Sequence, residues 1–182
     1  MRSYLVVAAT AAEAAHVPPH LPLVITGLGK TAAAAVTARA LAAYDDTSDL
    51  TVLNIGTAGA LRPGLAGLFE PGVVLNHDLS ADVIRSLGYD PQERLVVGES
   101  DVVLATGDVF VSDAGVRDAL AERAHLVDME GYAVAWAARD AGVPVHLVKH
   151  VSDSADESAM DWPSMVAASA VVLGEWLREH TG

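Results

Sequence analysis

At 182 residues the chain has the length of one domain, and 52% hydrophobic against 19% charged residues excludes wholesale disorder. Twenty-four acidic against eleven basic residues give a net charge of −13, which excludes a nucleic acid or an anionic membrane surface as partner. Cysteine is absent, so disulfides, thiolate metal sites and thiol nucleophiles go together, in keeping with a reducing cytoplasm.

The N-terminal run from Met1 to Ala9 is too short, and too soon interrupted by Glu13, for a signal peptide, so Tyr4 to Ala9 reads as a first strand. No segment approaches the roughly 18 uninterrupted apolar residues of a membrane helix. His16 and His20 flank Val17-Pro18-Pro19, which cannot form a regular helical turn, so they do not make a zinc pair and no metal is expected.

A second strand, Leu23 to Thr26, leads into Gly27-Leu28-Gly29-Lys30-Thr31 and an Ala-rich helix over Lys30 to Ala43. A Walker loop would need Gly where Val24 stands. A dinucleotide fingerprint would need an acidic residue about 20 positions on, at the end of a second strand, and none stands there in the expected way. The glycines therefore serve a tight strand-to-helix turn, and no cofactor is expected.

The third strand, Leu50 to Ile55, is followed by Gly56-Thr57-Ala58-Gly59-Ala60. These small residues read either as a flexible turn or as a place where a ligand approaches the backbone at the carboxyl end of a central strand. Arg62 to Gly72 reads as a surface loop, and Val73 to Asn76, Leu95 to Val97, Asp101 to Ala105 and Leu126 to Asp128 read as further strands. Asp128-Met129-Glu130 sets two carboxylates at the junction with a helix over Gly131 to Ala141. A charge there is favourable as a cap, which accounts for one carboxylate and leaves Met beside Glu unexplained.

Val145 to Val151 is a strand that runs straight into Ser152-Asp153. An aspartate there is partly desolvated and suited to act as a general acid, although an Asp ending a strand also serves as a turn former. The last helix, Trp162 to Glu179, carries Val166, Ser169, Val172, Leu173, Trp176 and Leu177 at helical spacing and reads as a packing element. Short apolar strands alternating with helices give a single α/β sandwich domain over residues 1–182.

Read in order, six blocks resemble the nucleoside phosphorylase and nucleosidase superfamily, above all its 5'-methylthioadenosine/S-adenosylhomocysteine nucleosidase branch. They are the first strand with Glu13, Thr26-Gly27-Leu28-Gly29-Lys30, Asn54-Ile55-Gly56-Thr57-Ala58-Gly59, Thr106-Gly107-Asp108-Val109-Phe110, Asp128-Met129-Glu130 and Val151-Ser152-Asp153-Ser154-Ala155-Asp156. The resemblance implies a three-layer α/β/α sandwich on a central mixed sheet, a homodimer, and hydrolysis of the N-glycosidic bond of an adenine nucleoside. It assigns Asp153 to protonation of the purine N7, with Ser152 orienting it, and Glu13 to the attacking water. Glu130 and Met129 would hold the sugar, Phe110 and the backbone of Val111 the base, and Thr57 and Gly59 would border the substrate. Such a division suits an oxocarbenium-like transition state, which needs an acid at the leaving base and a water on the opposite face.

Phosphorylases of the superfamily hold phosphate with arginines, one of them just before the turn after the third strand, where this chain has Asn54. A phosphate without such partners would carry an uncompensated desolvation cost, which favours water as acceptor. The chain departs from the nucleosidases at Lys149, where they tend to have Arg, at His150, and in the short stretch after Asp78, where relatives carry a long excursion around the 5' group. The alternatives are a futalosine-type nucleoside hydrolase, a purine nucleoside phosphorylase and a non-catalytic purine-binding domain.

Overall fold

A computed structural model describes residues 3–182; Met1 and Arg2, the start of the N-terminal run, lie outside them. Nine strands form one mixed sheet: β1 (Ser3–Ala8), β2 (Leu23–Ile25), β3 (Leu50–Ala60), β4 (Leu68–Phe69), β5 (Val73–Asn76), β6 (Arg94–Val96), β7 (Val103–Thr106), β8 (Leu126–Asp128) and β9 (Val145–Asp153). The main order is β2-β1-β3-β8-β7-β5-β6, with β9 parallel to β3 and β4 antiparallel to β9. The helices are α1 (Lys30–Leu41), α2 (Ala81–Ser86), α3 (Ala114–Ala121), α4 (Gly131–Asp140) and α5 (Trp162–Thr181).

Both faces of the sheet are covered, which is why its central strands are apolar on consecutive positions. Leu5 and Val7 of β1 pack with Ala33, Leu41, Ala133, Val134 and Ala138 under α1 and α4. Val6 and Ala8 face the other way, onto Leu173, Trp176 and Leu177 of α5. The alanines of α1 and α4 let the two helices lie close together, so small side chains do the packing that few large aromatics are present to do.

Two differences from the sequence-based expectation matter for the site. The small-residue stretch after Ile55 is not a turn: β3 continues to Ala60, because β9 pairs with it from Val52 to Gly59. The loop over 62–72 contains the two-residue strand β4, which pairs with Lys149 and His150 of β9.

Candidate active site

Strand β3 changes neighbours along one edge. Pairing with β1 ends at Asn54, and antiparallel pairing with β8 begins at Gly59. Between those positions, among the described residues, that edge has no strand partner, so the Thr57 N–H is left to bind something else. Ligand sites of open α/β sheets lie at such partings, outside the carboxyl ends of strands. Here the parting opens into a solvent-accessible cavity of about 120 Å³.

Glu13 forms one wall. Thr10 and Glu13 stand at the spacing of a capping box: the Thr10 N–H donates to Glu13 Oε2 at 3.2 Å, and the Glu13 N–H donates to Thr10 Oγ1 at 3.2 Å. The Thr10 hydroxyl adds a third bond, to Oε2 at 2.9 Å. The other oxygen, Oε1, accepts the freed Thr57 N–H and the Thr57 hydroxyl, both at 2.9 Å. Trp162, the first residue of α5, donates its indole N–H to Thr57 Oγ1 at 2.8 Å and closes the wall.

Behind that wall lies a buried cation. Lys149 Nζ pairs with Asp128 Oδ2 at 2.9 Å, and their side chains are 2% and 1% exposed. A Cβ on Gly56 would lie 3.1 Å from Glu13 Oε1 and 3.3 Å from Lys149 Nζ, so glycine is what allows carboxylate and ammonium to converge on β3. Burial acts to push Lys149 toward the neutral amine, but Asp128, Glu130 and Glu13 outweigh it and hold its pKa above the ordinary lysine value. Asp128 is further bound by the Thr106 hydroxyl at 2.6 Å and the Gly131 N–H at 2.9 Å.

Glu130 stands at the start of α4 and is also buried, yet among the described residues its carboxylate has one hydrogen bond, from the Gly29 N–H at 2.8 Å. Burial first, and then the charge of Asp128, push its pKa up to about 7, against the pull of Gly29 and Lys149. The glycines of the β2–α1 turn thus do more than turn the chain. Gly27 and Gly29 take positive φ, at 84° and 88°, and Gly29 presents its N–H to the cavity carboxylate.

Asp153 ends β9 at a bulge. Ala58 pairs with Val151 and Gly59 with Asp153, so Ser152 is the extra residue, and both Ser152 and Asp153 border the cavity. The Ser152 hydroxyl donates to Asp153 Oδ2 at 2.7 Å, and the Ala155 N–H donates to Oδ1 at 2.9 Å. Gly59 faces this carboxylate: a Cβ there would sit 3.0 Å from Asp153 Oδ1 and 3.0 Å from the Ala155 methyl. At the mouth, Leu28, Val109 and Phe110 are exposed apolar side chains. The turn that bears Leu28 is tied down by Lys30, whose Nζ binds Asn76 Oδ1 at 2.7 Å and also Asp78, while its N–H donates to Asp108 Oδ1 at 2.7 Å.

All nine residues singled out from the sequence line this one cavity: Glu13, Thr57, Gly59, Phe110, Val111, Met129, Glu130, Ser152 and Asp153. No sequence pattern marks Trp162, Leu28 or Val109 as lining residues, and α5, which reads as a packing element, also delivers Trp162 to the site. Apolar residues at a helix start or a loop tip carry no periodic signal. Only the Thr10-to-Glu13 capping-box spacing was there to be used.

Set beside known proteins, the chain matches the family model of the phosphorylase superfamily over residues 74–172. An aminodeoxyfutalosine nucleosidase of Helicobacter pylori is 26% identical over 165 residues, 72% of this chain and 71% of the relative. A 5'-methylthioadenosine/S-adenosylhomocysteine nucleosidase of Buchnera aphidicola is 26% identical over 170 residues, 78% of this chain and 65% of the relative. In fold, the chain superposes on the Helicobacter pylori 5'-methylthioadenosine/S-adenosylhomocysteine nucleosidase with a TM-score of 0.83 and 21% identity, covering 98% and 97% of the two chains. The Neisseria meningitidis nucleosidase bound to methylthio-immucillin-A gives 0.82 at 21% identity, with 98% of each chain covered.

Proposed function

The chain belongs to the phosphorylase superfamily, and we propose that within it the protein is a purine nucleosidase that hydrolyses the N-glycosidic bond of an adenine nucleoside such as 5'-methylthioadenosine or S-adenosylhomocysteine. The observation that carries this reading is the meeting of Glu13, Glu130 and Asp153, far apart in sequence, on one cavity that also has an aromatic ring, Phe110, at its mouth. The curated relatives named as nucleosidases support the same activity.

In this reading Asp153 protonates N7 of the base and turns it into a neutral leaving group. Ser152 and the Ala155 N–H hold the carboxyl in place. Glu130 has acceptor capacity left for the ribose hydroxyls, and Met129 packs on the sugar. Glu13 positions a water for attack at the anomeric carbon and takes its proton, the Thr10 hydroxyl turning away from Oε2 to free an acceptor site. The carboxylates of Glu13 and Glu130 that border the cavity favour the positive charge that develops on the sugar, while Asp128 is neutralised by Lys149.

Water is the acceptor. Four carboxylates and no lysine or arginine line the cavity among the described residues, and Lys149 is engaged by Asp128. A phosphate dianion would enter unpaired and lose its hydration without compensation. A second substrate, an aminodeoxyfutalosine-type nucleoside, is favoured by the likeness to the Helicobacter relative. The exposed apolar mouth at Leu28, Val109 and Phe110 supports closure by a second copy in a homodimer, and the absence of cysteine fits a cytoplasmic enzyme.

The test is incubation with a panel of purine nucleosides, with and without phosphate. Free base and the corresponding free sugar, with its 5' substituent retained, are expected from at least one adenine nucleoside, unchanged by phosphate. A sugar 1-phosphate, or no base release from any member, overturns the reading.

A further inference from the structure

The cavity wall at Glu13 contains a chain of hydrogen bonds whose direction is fixed by chemistry. An indole N–H donates only, so Thr57 Oγ1 accepts the bond from Trp162 Nε1 at 2.8 Å. A hydroxyl has one proton, and that proton is left to point at Glu13 Oε1, 2.9 Å away. Relieved of Trp162, the hydroxyl is free to swing into the cavity, and Oε1 keeps the backbone donor alone. Trp162 reaches this point from 105 residues away in sequence. The segment before it is anchored by Asp156, which caps the short helix Glu157–Asp161 and pairs with Arg117 at 3.2 Å.

We propose that Trp162 is a positioning residue for Glu13: through the Thr57 hydroxyl it fixes the orientation of the carboxylate that faces the attacking water. The same indole forms part of the wall, so packing of the substrate and alignment of the base are joined in one side chain. The inference rests on the nucleosidase reading for its kinetic consequence, but the hydrogen-bonded relay itself can be read without catalysis.

The experiment therefore has two arms. In the unliganded protein, the indole N–H resonance of Trp162 is assigned by its disappearance in Trp162→Phe. It should move in Thr57→Val and in Glu13→Gln, whatever the protein turns out to hydrolyse. In steady-state kinetics with the best nucleoside of the panel, Trp162→Phe keeps an aromatic ring in the wall and loses the N–H along with the second ring of the indole. It should lower kcat by about 3- to 10-fold with KM within about twofold, the size of one aligned hydrogen bond. Thr57→Val should lower kcat at least as far, and Thr57→Ser, which keeps the hydroxyl, should recover most of the loss. An unmoved resonance in Thr57→Val, or a Trp162→Phe enzyme that changes KM but not kcat, overturns the proposal. A protein that hydrolyses no nucleoside sinks the functional reading, and the resonance arm still decides the relay.

Discussion

The two ends of the cavity that carry Glu13 and Glu130 hold the same residue type at nearly the same burial, and they are built in opposite ways. Glu13 accepts four hydrogen bonds, two at each oxygen, from Thr10 and Thr57. Glu130 has the Gly29 N–H, and burial beside Asp128 raises its pKa to about 7. Buried polar groups are stable when satisfied and costly when not, so the first carboxylate is fixed by the fold, whereas the second waits for a ligand to complete it. Burial alone does not say what a carboxylate does; the count and direction of its donors do.

The largest effect should come from the cation that both ends share. Lys149→Met leaves Asp128 buried without its counter-charge, and loss of one partner of a buried pair costs about 3–5 kcal/mol. Urea unfolding of the variant checks this, and an unchanged midpoint would show that Asp128 does not need the ammonium.

Next comes Glu130. Its folded pKa stands above that of the unfolded chain, so the protonated form is the one the fold favours. Its ionisation therefore costs stability as pH rises from about 4.5 to about 7, and the cost is constant above that. Glu130→Gln keeps an acceptor for Gly29 and removes the cost. Its stability relative to the parent should rise by on the order of 3 kcal/mol between pH 4 and pH 8. A difference that does not change with pH would refute the contrast. The same variant should bind an adenine nucleoside with little pH dependence, whereas the parent should bind more tightly as pH rises toward 7.

Glu13 gives the smaller stability effect, of the opposite sign. A glutamine there sets its NH2 against a backbone N–H and a hydroxyl; the hydroxyl can turn to accept, but the backbone N–H is left unsatisfied, at a cost of about 1–3 kcal/mol. Thermal melts at pH 8 of Glu13→Gln and Glu130→Gln, run side by side, separate the two carboxylates: the first should melt below the parent and the second above it.

Much of the fold was legible in the chain. Strands β5 and β8 have the expected ends, and β1, β2, β6, β7 and β9 and helices α1, α4 and α5 differ from expectation only at their termini. Short apolar runs between turn residues carry that information locally. The segment Gly56 to Ala60 is another matter, because Gly, Thr and Ala have no strand signature of their own; β9 makes it a strand by pairing along it. Helices α2 and α3 are short, and the sequence reading set no helix there.

The site was legible where a motif carried it, as with Asp153, Glu130 and Phe110, and not where the contact is made only in three dimensions. Trp162 looks like the opening of an amphipathic helix, and Lys149 stands out only against the resemblance, as a lysine where the nucleosidases tend to have Arg. Their partners, Thr57 and Asp128, are distant in sequence, and no local pattern announces either bond.

The most direct measurement of the whole account is base release by Asp153→Asn. Asparagine keeps the shape, accepts the Ala155 N–H, and cannot supply the proton. With the nucleoside that the parent hydrolyses best, the variant should lose about 10²- to 10⁴-fold in kcat while still binding the nucleoside and melting near the parent temperature. Turnover within a few-fold of the parent would contradict the assignment of Asp153 as the acid that releases the base.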